Sequence, residues 1–103
     1  MALTKDQSLA DLTGLFGMLS DKTRLHMLFL LAKEDQNVTS LCEALKVRQP
    51  TASHHLGLLR MSGMVTTKRM GKQIVYSLAE AFTSAGGKLR ISLPSCRVTI
   101  EES

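Results

Sequence analysis

Apolar positions in the first sixty residues recur at spacings of three and four, and beyond Met64 they alternate with polar ones at every second position. The first period is that of a helix and the second that of a half-buried strand. Leu9, Leu12, Leu15, Phe16 and Leu19 predict a helix over about 6–19. Ser20-Asp21 then supplies capping groups for a second helix with a buried stripe of Leu25, Leu28, Phe29 and Ala32. Asp35-Gln36-Asn37 breaks that helix and Val38 reads as extended. Thr39 or Ser40 caps a third, short helix over about 40–45, where Ser40 and Glu43 have capping-box spacing and Leu41 and Leu45 point inward. Lys46-Val47-Arg48 is a turn into a fourth helix, which tolerates Pro50 in its first turn and stops at Gly63. A hairpin follows: Met64–Arg69, a turn at Met70-Gly71-Lys72, and Gln73–Leu78, with Val65, Ile74, Tyr76 and Leu78 on its inner face. Ala79 to about Ser84 reads as a short helix stopped by Gly86-Gly87. Beyond it, Leu89, Ile91 and Leu93, then Val98 and Ile100, alternate with polar residues and predict two strands around a Pro94-Ser95 turn. The fold class is therefore mostly α with a small β component (α+β).

The fourth helix has unusual chemistry. At 100° per residue, Ala52, Leu56 and Leu59 share one face, with His55 at its border. Pro50, His54, Gly57 and Met61 lie opposite, flanked by Thr51 and Ser53. Short donors and acceptors in the first turns, over a thin outer face, suit a helix whose N-terminal end enters the major groove of DNA. Two short helices joined by a three-residue turn have helix-turn-helix geometry. A basic-tipped hairpin directly after them is a wing. The competing reading is an ordinary solvated amphipathic helix.

Charge sharpens this picture. The 103 residues carry a net +4 at pH 7. Residues 1–40 contribute −1 and residues 79–103 nothing, whereas 41–78 contribute +5 through Lys46, Arg48, Arg60, Lys68, Arg69 and Lys72 against Glu43 alone. No acidic residue stands between Lys46 and Ser77. A positive field centred on a candidate reading helix and wing fits a nucleic-acid partner; a solvated basic face is the alternative.

Other classes find little support. One domain over 1–103 is expected, with the helix-turn-helix at about 39–63, the wing at about 64–78 and a tail at 79–103. No run reaches the roughly 18 apolar residues of a membrane span, and the first residues lack the pattern of a signal peptide, so a cytoplasmic protein is expected. Cys42 and Cys96 are too few for a disulfide framework. No nucleophile–base pair, phosphate-binding glycine loop or carboxylate cluster argues for an enzyme, and no cofactor is implied. His54 and His55 point about 100° apart on a helix and do not chelate one ion together, while His26 reads as a boundary residue.

The segments Leu19-Ser20-Asp21-Lys22-Thr23-Arg24-Leu25, Thr39-Ser40-Leu41-Cys42-Glu43-Ala44-Leu45 and Gln49-Pro50-Thr51-Ala52-Ser53-His54-His55-Leu56, with Leu59, Gly63, Val65 and the basic hairpin, resemble the ArsR/SmtB family of winged-helix repressors. The match runs from about Leu15 to Leu78. The resemblance implies a homodimer that represses a small operon from an inverted-repeat, double-stranded DNA operator and releases it on binding an inducer, here unknown. It gives Gln49, Thr51, Ser53 and His54 the base-reading role, and Lys68, Arg69 and Lys72 wing contacts. Arg48 stands where such proteins usually have a capping serine, which weakens the cap and adds a phosphate contact; Arg60 is a further backbone candidate.

Departures from the family pattern bear on the input. Where many members place a metal-binding Cys-x-Cys pair, this chain has Asn37 and Thr39, hard oxygen groups unsuited to soft ions. No His follows His55, so the family's C-terminal metal ligands are missing too, and no metal site is expected. The usual last, dimer-forming helix is replaced by the proposed tail strands. Two alternatives stay open: a thiol-based redox or persulfide-responsive repressor using Cys42 and Cys96, and a winged-helix module that docks a protein. In these readings Cys42 is a small buried residue before it is a reactive one, and Cys96, beside Arg97, is the better thiolate candidate.

Overall fold

Helix α1 (Asp6–Leu19) turns through Ser20-Asp21 into α2 (Lys22–Lys33) because the Asp21 carboxylate accepts the Arg24 backbone N–H at 3.0 Å and so caps the second helix. The computed structural model describes residues 6–101. A two-residue strand, β1 (Gln36–Asn37), leads directly into α3 (Val38–Leu45), and α4 (Gln49–Met61) follows across three residues. Strands β2 (Val65–Met70) and β3 (Gln73–Leu78) form the wing, with β1 paired to the far side of β3. The tail is a second antiparallel sheet in the order β4 (Phe82–Ala85), β5 (Lys88–Ser92), β6 (Arg97–Glu101). The architecture is α+β, as the periodicities predict.

Glycines shape two of the connections. At the end of α4, Gly63 takes φ 76°, its N–H donates to Arg60 O, and Met64 N–H donates to Leu59 O. That pair of bonds is a Schellman motif, and it aims the chain into β2. Gly86 and Gly87, both with positive φ, close the β4–β5 hairpin. Only the primed two-residue turns match strand twist, and two consecutive positive φ values favour glycine at both places.

Three local expectations are corrected. Val38 is the first residue of α3 rather than extended, and the helix is capped by Asn37, whose Oδ1 accepts the Ser40 N–H at 2.8 Å; neither Thr39 nor Ser40 is the cap. Pairing of Gln36 and Asn37 with Tyr76 and Val75 holds Asn37 extended, as an N-cap requires, and so moves the helix start forward. The expected helix at 79–84 is absent: Phe82–Ala85 is a strand, because Gly86-Gly87 is a hairpin turn and pairing with β5 satisfies the backbone. The wing turn is Gly71-Lys72, with Met70 already paired to Gln73.

One buried cluster joins helices, wing and tail. It contains Leu15, Met27, Leu28, Leu31, Leu41, Ala52, Leu56, Leu59, Met64 and Val65 together with Ala79, Phe82, Leu89 and Ile91. On α2 the fully enclosed residues are Met27, Leu28 and Leu31, while Leu25, Phe29 and Ala32 are half-buried. The stripe is displaced because α2 is packed both by α3, α4 and the wing and by β4, whose Ser84 hydroxyl donates to Ala32 O at 2.8 Å. Among the α1 residues whose burial is described, Leu15 alone is buried; Leu9 and Phe16, seven residues apart and on one face, stay about half exposed. Ile74 shares a face with Tyr76 and Leu78 but lies out toward the wing tip, where it is exposed rather than inward.

The cap assignment has a direct test. Asn37→Ala should lower stability by about 1 kcal/mol in denaturant unfolding, whereas Ser40→Ala should change it by less than about 0.5 kcal/mol. The reverse ranking would place the cap at Ser40.

Candidate nucleic-acid interface

Burial of Ala52, Leu56 and Leu59 determines which side of α4 faces outward. Gln49, Thr51, Ser53 and His54 are all exposed, as are Arg48 and Arg60. Around the helix, Gln49, Ser53 and Arg60 line one edge of the exposed arc, Thr51 the other, and His54 projects between them beside Gly57. Between His54 and Met61 the middle of that arc carries only Gly57. The turn into the helix contains Lys46 in the left-handed region at φ 57°, with Val47 N–H donating to Cys42 O. Arg48 is the N-cap but makes no side-chain cap hydrogen bond, so the first N–H groups of α4 are left to an outside acceptor. With the positive helix end, that is an arrangement which favours phosphate.

The wing presents its cations differently from a simple stripe. Lys68, Arg69 and Lys72 are all exposed, Lys72 in the turn beside Gly71 at φ 64°. Lys68 pairs with Val75 and Arg69 with Ile74, so the two adjacent cations project from opposite faces of the ribbon. The tip is basic on both sides. Asn37 ties this ribbon to α3: its Nδ2 donates to Gln73 Oε1 at 3.1 Å while its Oδ1 caps the helix. Thr39, two residues further on, is exposed.

The sequence reading did not find the group that seats α4. Arg24 Nε donates to Met18 O at 2.8 Å, and its Nη1 lies 3.4 Å from His55 Nδ1. A guanidinium only donates, so Nδ1 accepts and a neutral His55 carries its proton on Nε2, which faces Asp21 Oδ1 at 3.9 Å. The Arg24 backbone N–H holds the Asp21 carboxyl below its ordinary range against partial desolvation, and the Arg24 charge acts in the same direction as that hydrogen bond. Asp21 and Arg24, at N-cap and third helical position, thereby connect the end of α1, the start of α2 and the reading helix. The His54 ring then stands edge-on to His55, 5.5 Å between centroids. Ser20-Asp21 carried the capping signal in the sequence; the contact of Arg24 with a residue thirty-one positions on did not show in it.

Cys42 is half-buried on α3 against the core, and Cys96 is half-buried just before β6; neither is in a disulfide. Among the described residues no three His, Cys, Asp or Glu side chains converge on one point, and no helix is long and apolar enough to cross a membrane.

Comparison with known proteins agrees with this geometry. Residues 21–67 match the family model described as bacterial regulatory protein, arsR family. The chain is 35% identical over 80 residues to a transcriptional repressor SmtB homolog of Synechocystis, covering 78% of this chain and 58% of that protein. It spans between 46% and 74% of the length of seven further curated relatives it matches. Its fold superposes on the transcriptional repressor BigR of Xylella fastidiosa with a TM-score of 0.69 at 37% identity, covering 74% of this chain and 78% of that one. A homodimeric winged helix-turn-helix DNA-binding domain from Mycobacterium bovis gives a TM-score of 0.63 at 30% identity, with 69% and 66% of the two chains covered. With its Asp21–Arg24–His55 contact, its exposed α4 arc and its basic wing, the chain belongs to the ArsR/SmtB family of bacterial regulatory proteins.

Proposed function

We propose that this chain is a cytoplasmic, non-enzymatic transcriptional repressor that binds an inverted-repeat DNA operator as a homodimer. The observation that carries the reading is the exposed polar arc of α4, set in a stretch from Lys46 to Ser77 without one acidic side chain. Gln49, Thr51, Ser53 and His54 read base edges in the major groove. Arg48, Arg60, Lys68, Arg69 and Lys72 contact the phosphate backbone, the wing cations reaching it from both faces of the ribbon. The relatives named as repressors support the direction of regulation, and the homodimeric Mycobacterium bovis domain supports a two-fold assembly.

The input is not a conventional metal ion. Asn37 is committed to capping α3 and to Gln73, and Thr39 offers a hydroxyl, so this position supplies no thiolate. A second reading of the input rests on the thiols: Cys42 and Cys96 are both free and half-buried. It requires Cys42 and Cys96 to meet across the dimer.

Binding should depend steeply on salt. Five cationic contacts per subunit give about ten in the dimer, and a slope of log K against log salt on the order of −9. A slope near zero in a fluorescence-anisotropy titration would overturn DNA binding.

Base and backbone contacts should separate on mutation. Gln49→Ala or His54→Ala should relax base preference, with a loss of about 1–3 kcal/mol on the operator. Lys72→Ala should weaken operator and random DNA alike. Parallel losses for all three would show that the reading face is wrongly assigned.

Zinc, cadmium or arsenite, added stoichiometrically to the reduced protein–operator complex, should leave it intact. Release that disappears in Cys96→Ser would reveal a metal site built with the tail.

A further inference from the structure

Sheet edges expose unpaired backbone N–H and C=O groups, and proteins cover or charge them to prevent stray pairing. The outer edge of β4 lies along α2, where Ser84 donates to Ala32 O. The wing edge, β2, carries Lys68 and Arg69 and no acidic residue, so a second copy placed along it meets like charge. β6 is different. It is the edge strand of the tail sheet, and its exposed charges are of both signs, Arg97 at one end and Glu101 at the other.

The backbone of β6 points the right groups outward. Leu93 N–H donates to Cys96 O across the hairpin, which makes Leu93 and Cys96 a hydrogen-bonded pair. Because hydrogen-bonded and non-hydrogen-bonded pairs alternate along an antiparallel ladder, Ile91–Val98 and Leu89–Ile100 are also bonded, and Arg97, Thr99 and Glu101 turn their N–H and C=O groups to the open edge. Ser92 N–H donates to Ala81 O on the other side of β5, in phase with this assignment. Neither Arg97 nor Glu101 has an ion pair within 4 Å among the described residues, although Glu101 has Lys88 as its cross-strand neighbour on β5.

We propose that β6 is the seam for a second copy of this chain, pairing antiparallel with its own counterpart about a two-fold axis at Thr99. In that register Thr99 faces Thr99 of the other copy, and Arg97 faces Glu101 twice. Each of these pairs exchanges two backbone hydrogen bonds. Val98 then stands opposite Ile100 in the closer, non-hydrogen-bonded pairs, on the face that Leu89 and Ile91 bury within each chain. Val98 and Ile100 are only half-buried in one chain, and the second sheet extends the apolar face over them. The two three-stranded tail sheets become one. This inference deepens the homodimer part of the proposed function and names the occupant of the edge as a second copy, because the strand is complementary to itself in charge and in hydrogen-bond phase.

Sedimentation velocity over a dilution series of the full chain measures the dimer, with far-UV circular dichroism to verify folding. Arg97→Glu and Glu101→Arg each place like charges opposite one another at both ends of the seam and should weaken dimerisation about tenfold. The double reversal Arg97→Glu/Glu101→Arg restores opposite pairs and should return the dissociation constant close to that of the parent. In a Cys42→Ser/Cys96→Ser background, Thr99→Cys should oxidise to a disulfide-linked dimer, since opposed Cα atoms lie about 5.5 Å apart in a hydrogen-bonded pair. Arg97→Cys should not, its two copies lying about 13 Å apart along the strands. Single reversals without effect, a double reversal no tighter than either single one, or cross-linking at 97 rather than 99 would each overturn the seam. So would a dimer broken by Phe16→Glu on α1 but untouched by the β6 variants. A monomeric parent overturns both the seam and the homodimer, while the salt titration judges DNA binding independently.

Discussion

Every exposed group assigned to DNA on α4 owes its direction to the burial of Ala52, Leu56 and Leu59 on the other side of that helix. These side chains are completely enclosed, packed in a core with Met27 and Leu28 of α2 and Leu41 of α3. A helix with one buried stripe has one rotational setting, because turning it by a single residue would drive a polar group into the core. The outward arc of Gln49, Ser53, His54 and Thr51 is the geometric complement of that stripe. Removing a large buried side chain such as Leu56 attacks stability first and the reading face only as a consequence.

Polar contacts refine what the apolar stripe sets. Arg24 links the carbonyl of Met18 to the ring of His55, and Asp21 closes the group from the N-terminus of α2. Asn37 does comparable work at the other end, capping α3 while holding Gln73 of the wing. Two small polar clusters therefore tie reading helix and wing to the same helical frame. In the charge-assisted Arg24–His55 contact, loss of one partner leaves the other without its hydrogen bond in a partly buried setting.

The tail contributes to the core and opens a new surface at once. Phe82, Leu89 and Ile91 join the buried cluster, which makes β4 and β5 part of the frame rather than an appendage. β6 completes the sheet but leaves an edge whose charges are arranged symmetrically about Thr99. A strand edge offers a chemistry of association by directional backbone bonds with a register. Leu9 and Phe16 on α1 remain as a separate apolar surface.

Much of this was legible in the chain. The α1 limits, the buried stripe and start of α4, the glycine stop at Gly63, the hairpin and the paired tail strands follow from periods of 3.6 and 2 and from turn chemistry, which are local properties. The candidate DNA residues were legible for the same reason: their exposure is the reverse side of a helical pattern, and the charge segregation is a count. What failed depended on pairing and packing with other elements. Asn37 became the cap because β3 holds it extended, Phe82–Ala85 became a strand because β5 lies beside it, and the buried side of α2 shifted because two layers enclose it. Ile74 kept its predicted face but lost its burial, since nothing packs over the wing tip. The Arg24–His55 contact spans thirty-one positions, and the outward phase of the β6 backbone depends on which partner occupies the other side of that strand. Periodicity says which residues share a face; only the packed structure decides what that face meets, because burial and hydrogen-bond phase are properties of pairs of elements and not of one.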